Sequence, residues 1–146
     1  VDIDGAVQID NTVTVGVDDT GYDVKFFGAT SGKYMLWDES GDELVISGEL
    51  TLTSDKSLKT NIKNIENAGD LLDQINGVEF EWKDNNKKSF GVIAQDIEKI
   101  MPAAVRGNTG EKTVNYNAII GLLVEALKEQ NEKYKTLENR FNEYSM

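Results

Sequence analysis

Tyr116-Asn117-Ala118-Ile119-Ile120-Gly121-Leu122-Leu123-Val124-Glu125-Ala126-Leu127-Lys128 opens the stretch that decides how this 146-residue chain folds. From it, Tyr116, Ile120, Leu123, Leu127, Gln130, Tyr134, Leu137 and Phe141 recur at alternating steps of four and three, which is a heptad seam. The spacing predicts a helix from Asn117 to Tyr144, with Asn115 or Asn117 as its N-cap. At 1.5 Å per residue such a helix is roughly 40 Å long. Its first half, rich in Ile119, Ile120, Leu122, Leu123, Val124 and Leu127, reads as docked on its own domain. The narrow second half reads as a self-association surface, with Gln130 as a polar layer that sets register or oligomeric state.

Upstream, residues 54–111 mix both periodicities. Ile62, Ile65, Leu71, Leu72 and Ile75 suggest short helical turns, broken by Gly69 and ended by Asn76-Gly77. Val78-Glu79-Phe80-Glu81-Trp82 alternates as a strand, Asp84 to Lys88 is a polar turn, and Phe90 to Ala94 is the returning strand of a hairpin. A short helix over Asp96 to Ile100 ends before Pro102, the only proline, and Val105 and Val114 flank a Gly/Asn-rich loop.

Residues 1–53 have a different composition. They hold 11 acidic against 2 basic residues, whereas residues 54–146 hold 15 against 13, so the net charge of −11 lies almost wholly upstream of Ser54. Val1, Ile3, Val7, Ile9, Val13, Val15 and Val17 alternate with polar partners, and glycines punctuate the segment, as in short strands with one buried face. Strands so short and poor in large residues enclose little core in one chain, and association with further copies supplies what is missing. The acidic balance argues against a nucleic-acid partner. No apolar run is long enough for a membrane span, no signal peptide opens the chain, and its abrupt start reads as a C-terminal fragment of something longer.

With neither cysteine nor histidine, disulfides are excluded and a structural zinc site has only carboxylates to draw on, so neither metal nor cofactor is expected. Asp18-Asp19-Thr20-Gly21-Tyr22-Asp23 lacks the spacing of a calcium loop and reads as a solvated turn. Tyr22, Tyr34 and Trp37 suit sugar stacking or, more commonly in such a module, core. For peptide-bond chemistry the remaining nucleophile is a hydroxyl activated by lysine. Ser54-Asp55-Lys56-Ser57-Leu58-Lys59 offers one, because a lysine stem bridges five residues when the segment turns. Free lysine titrates at about 10.4, so it acts as a base only with its pKa drawn down by burial or by a neighbouring cation such as Lys56. On the residues alone, a solvated Lys59 beside a helix-capping Ser54 or Asp55 is the plainer account.

Four features in order carry a resemblance: the Ser54–Lys59 segment, Gly77-Val78-Glu79-Phe80-Glu81-Trp82, Gly91-Val92-Ile93-Ala94-Gln95-Asp96 followed by Pro102, and Tyr116 leading to Leu123-Val124-Glu125-Ala126-Leu127-Lys128. Residues 54–146 thereby resemble the C-terminal intramolecular chaperone, a self-cleaving serine peptidase domain, of phage tail spikes and tail fibres of the endosialidase type. Asp96 stands for the usual glutamate, and Phe80 where tyrosine is also common. The piece from Gly21 to Asp38 is similar to a small module of phage fibre proteins.

The resemblance implies an α+β chain: an all-β fibre stalk or tip module over 1–53, then a small chaperone domain over 54–146 ending in a coiled-coil-like helix. It implies a homotrimer in the virion, assembled in the host cytoplasm, with the upstream fibre as folding client and a host receptor or glycan as a further partner. It assigns Ser54 as nucleophile, Lys59 as base and Thr53–Ser54 as the scissile bond, cut by an N→O acyl shift or by direct hydrolysis. Asp55 is a candidate auxiliary. Gln95 is either an orienting or oxyanion-donating amide or a buried structural one. The rival expectation is a structural trimeric tip that keeps its cap uncut.

Overall fold

A computed structural model describes residues 4–144. The chain is mixed α and β, with small antiparallel sheets and one long C-terminal helix. It divides into two compact units, Val1–Thr60 and Asn61–Met146.

In the first unit, β1 (Val24–Phe27), β2 (Tyr34–Asp38) and β3 (Glu43–Ser47) form an antiparallel meander in that order. The register pairs Val24 with Trp37, Phe26 with Met35, Met35 with Ile46 and Trp37 with Leu44. Period two therefore puts Val24, Phe26, Met35, Trp37, Leu44 and Ile46 on one face. The other face carries Lys25, whose ammonium lies 3.8 Å from the centroid of the Tyr34 ring. Every fully buried side chain among the described residues belongs to the second unit. Trp37 and Tyr22 are exposed rather than core.

Among the described residues, the valine alternation upstream of Tyr22 forms no ladder. Val17 and Thr20 exchange two backbone hydrogen bonds of 3.0 Å as an isolated bridge, while Val7, Ile9, Val13 and Val15 lie in no strand and stay exposed. Extended backbone becomes a strand only beside another strand, and among the described residues none lies alongside it. Val1 and Ile3 lie outside the described residues.

The second unit is built on α3 (Tyr116–Tyr144), about 43 Å long at 1.5 Å per residue. Its N-cap is Asn115, whose Oδ1 accepts from the Asn117 amide at 3.1 Å. Helix α1 (Ala68–Leu72) packs across it, and Ala68, Leu122 and Ala126 close the contact with Ile65, Leu71, Leu72, Ile75 and Met101 around them. Full burial of Leu122 stabilises this contact by about 1.5–3 kcal/mol. Only this stripe is covered, because α1 is just five residues long. Ile120, Leu123, Val124 and Leu127 remain exposed, contrary to the expectation that the whole apolar first half docks. Gly69 does not break the helix but lies inside α1, and Ile62 is exposed outside any helix.

The hairpin of β4 (Val78–Glu81) and β5 (Lys88–Gly91) leads into α2 (Ala94–Ile100), which starts two residues earlier than its sequence pattern suggests. Ile97 is fully buried. Pro102 ends α2 and opens a 3-10 turn, after which β6 (Val105–Arg106) and β7 (Thr113–Val114) pair across the loop. An ion pair of 2.6 Å joins Lys112 in that loop to Glu98 on α2. Among the described residues, no helix is long and apolar enough to cross a membrane.

Candidate active site

Asp55 shapes the Ser54–Lys59 segment. Its extended backbone (φ −61°, ψ 137°) and carboxylate make it the N-cap of a single 3-10 turn, Lys56–Leu58. One oxygen, Oδ1, accepts from the Ser57 amide at 2.7 Å and from the Ser57 hydroxyl at 2.6 Å. The Ser57 hydroxyl, then its amide, hold the Asp55 carboxyl below the usual carboxylate range. The turn is closed by Leu58 N–H donating to the Asp55 carbonyl at 3.3 Å and Lys59 N–H to the Lys56 carbonyl at 3.1 Å.

That reversal brings the lysine back. Lys59 Nζ donates to Ser54 Oγ at 2.6 Å and to the Ser54 carbonyl at 3.1 Å. A nucleophile and its base need this separation. A lysine accepts a proton from a serine hydroxyl only in its neutral form, with the nitrogen lone pair free. Thr51 to Asp55 is exposed and outside helix and strand, so the Thr53–Ser54 peptide is open to approach.

Ser54, Asp55 and Lys59 lie in the first unit, and Gln95 lies in the second, on the first turn of α2. Gln95 is exposed in the single chain. With Phe80, Trp82, Ile93, Lys112 and Tyr116 it lines a cleft of about 590 Å³. Phe80 and Trp82 meet edge to face there at 5.3 Å. Gly91 is small because Tyr116 crosses it: a Cβ added at Gly91 would lie 3.2 Å from the tyrosine hydroxyl.

Sequence reasoning missed Glu129. It reads as one of the solvated charges of the long helix, yet Oε1 accepts from the Ala68 amide at 2.8 Å and Oε2 from the Gly69 amide at 2.9 Å. No local motif announces a cap that arrives from sixty residues away. Among the described residues, no group of three or more carboxylates gathers as a metal site.

Residues 54–106 match the family described as the chaperone of endosialidase. This segment belongs to that family. The family segment begins at Ser54 and includes Lys59 and Gln95. Beyond it, the chain is similar to long tail fibre proteins. It is 30% identical to long tail fiber protein Gp37 of Enterobacteria phage K3 over 89% of its length, and 31% identical to that of Salmonella phage S16 over 92%. With long tail fiber protein Gp37 of Enterobacteria phage T2 it shares 36% identity over 61% of its length. The chain spans only 12%, 20% and 7% of these three relatives, respectively.

Proposed function

We propose that this chain is part of a phage long tail fibre, a virion component, and that residues 54–146 act as its intramolecular chaperone. In this reading the domain trimerises, registers the β-stranded chain before it, and is then cut off at Thr53–Ser54. Intertwined strands pair over long separations and expose edges while they wait, so a trimeric nucleus at the end raises their local concentration and fixes their register. Removing that nucleus afterwards leaves the fibre kinetically trapped.

The observation that carries the cleavage reading is the 2.6 Å contact between Lys59 Nζ and Ser54 Oγ in a segment of the chaperone family. Neutral Lys59 takes the proton of Ser54 Oγ as that oxygen attacks the Thr53 carbonyl carbon. The C–N bond then breaks, and the proton passes to the departing Ser54 nitrogen. The product is an ester linking Thr53 to the Ser54 side chain. Water hydrolyses it, leaving a carboxylate on Thr53 and restoring the Ser54 hydroxyl. One feature favours the rival reading of a retained cap: Lys59 is exposed and donates, as an inert tether would. Mass spectrometry of the freshly translated chain decides between them. A fragment starting at Ser54 supports cleavage, and an intact chain at every pH leaves the retained cap.

A further inference from the structure

The Ser54–Lys59 contact depends on a turn that neither residue makes. Five residues of extended chain span roughly 17 Å, far beyond a lysine's reach, so the pair exists only if Lys56–Leu58 folds back. No side chain in this stretch is buried, so core packing does not impose that reversal. The bonds that do are local: the Asp55 carboxylate to both donors of Ser57, and the two backbone bonds that follow. We infer that Asp55 and Ser57 are positioning residues for self-cleavage, acting through the turn that sets Lys59 Nζ on Ser54 Oγ rather than on the reacting atoms. The inference rests on the Ser54–Lys59 reading and adds to it a role for two residues.

The geometry also separates positioning from electrostatics. Both hydrogen bonds to Ser57 use the single atom Oδ1 of Asp55, and the lysine's described bonds go to Ser54, not to Asp55. An asparagine carbonyl oxygen accepts the same two bonds without the charge. If Asp55 works by shaping the turn, Asp55→Asn recovers what Asp55→Ala loses. If it works by its negative charge on Lys59, Asp55→Asn fails too and shifts the pH at which the lysine becomes a base.

The experiment follows cleavage of the 146-residue chain over time in the parent, Asp55→Ala, Asp55→Asn and Ser57→Ala, with Ser54→Ala as the uncut control. Asp55→Ala is expected to slow cleavage about 2- to 30-fold, the range of a lost side-chain cap. Ser57→Ala, which keeps its amide bond, should fall between it and the parent. Asp55→Asn should approach the parent with the same pH midpoint. In the Ser54→Ala chain, the Ser57 amide proton resonance should follow the Asp55 titration, a readout independent of cleavage. A parent-like rate in Asp55→Ala, a Ser57 amide blind to Asp55, or a shifted midpoint in Asp55→Asn overturns the positioning role while Ser54 and Lys59 stand. A parent chain that never cuts overturns the Ser54–Lys59 reading, and the inference with it.

Discussion

Glu129 of α3 accepts the amide of Gly69 in α1 at 2.9 Å, and its second oxygen takes the neighbouring amide of Ala68. The first amides of any helix lack intrahelical partners, and a helix of five residues has few others. The long helix thus supplies the cap that Asn67, whose side chain makes no capping bond, does not.

Glu129→Ala should therefore loosen α1 from α3, seen as faster amide exchange at Ala68 and Gly69. The Gly69 and Ala68 amides, aided by Lys133, hold the Glu129 carboxyl below its usual value. A depressed folded-state pKa gives stability that is present above the ordinary carboxylate range and lost as pH falls through the folded value. The melting difference between parent and Glu129→Gln should consequently be largest at neutral pH and shrink in acid. A difference independent of pH would mean that the carboxylate's charge contributes nothing.

The two faces of α3 should respond differently to truncation. Leu122 is fully buried against α1, and Leu122→Ala should cost about 2–5 kcal/mol in a denaturant melt. Leu127 and Leu137 are 71% and 62% exposed in the single chain. Replacing both by Asp should leave the fold of the second unit intact while abolishing self-association, so light scattering reads a monomer. A parent chain that is itself monomeric at micromolar concentration would remove the trimer.

Gly107 tests the β6–β7 loop. It sits at φ +91°, and a Cβ there would collide with the Glu111 carbonyl oxygen. Gly107→Ala should destabilise the second unit by about 1–3 kcal/mol, the range for strained backbone, whereas Gly110→Ala has open space and suffers only from its own positive φ.

What could be read from the sequence depended on how local its cause is. The β4–β5 hairpin, the stop at Pro102 and the Asn115 cap follow from patterns within a few residues, and each is in place. The turn between Ser54 and Lys59 is equally local, made by the Asp55–Ser57 bonds and two backbone bonds, yet on the residues alone a solvated Lys59 is the plainer account. The alternation of Val7, Ile9, Val13 and Val15 is legible as a strand pattern, but a ladder needs a neighbour, and the described residues of one chain provide none. The heptad stripe named the exposed face of α3 and not the docked one. Leu122 and Ala126 lie one position round from Leu123 and Leu127, and only the placement of α1 tells the stripes apart. Glu129 and the Tyr116–Gly91 crossing depend on distant segments meeting, which no spacing records.

Lys59 can serve as a base or as a tether for Ser54. Its ammonium holds Ser54 Oγ at 2.6 Å and the Ser54 carbonyl at 3.1 Å, so either role removes a contact when the lysine is truncated to alanine. Arginine distinguishes them. It keeps a positive charge and several N–H donors able to reach Ser54, but it does not give up a proton at any accessible pH. Lys59→Arg should therefore leave the assembled chain uncut, like Ser54→Ala. Both variants should still assemble, which light scattering checks on the same samples. If Lys59→Arg cleaves as fast as the parent, with Ser54 at the new N-terminus, the proton goes elsewhere and Lys59 only holds the serine in place.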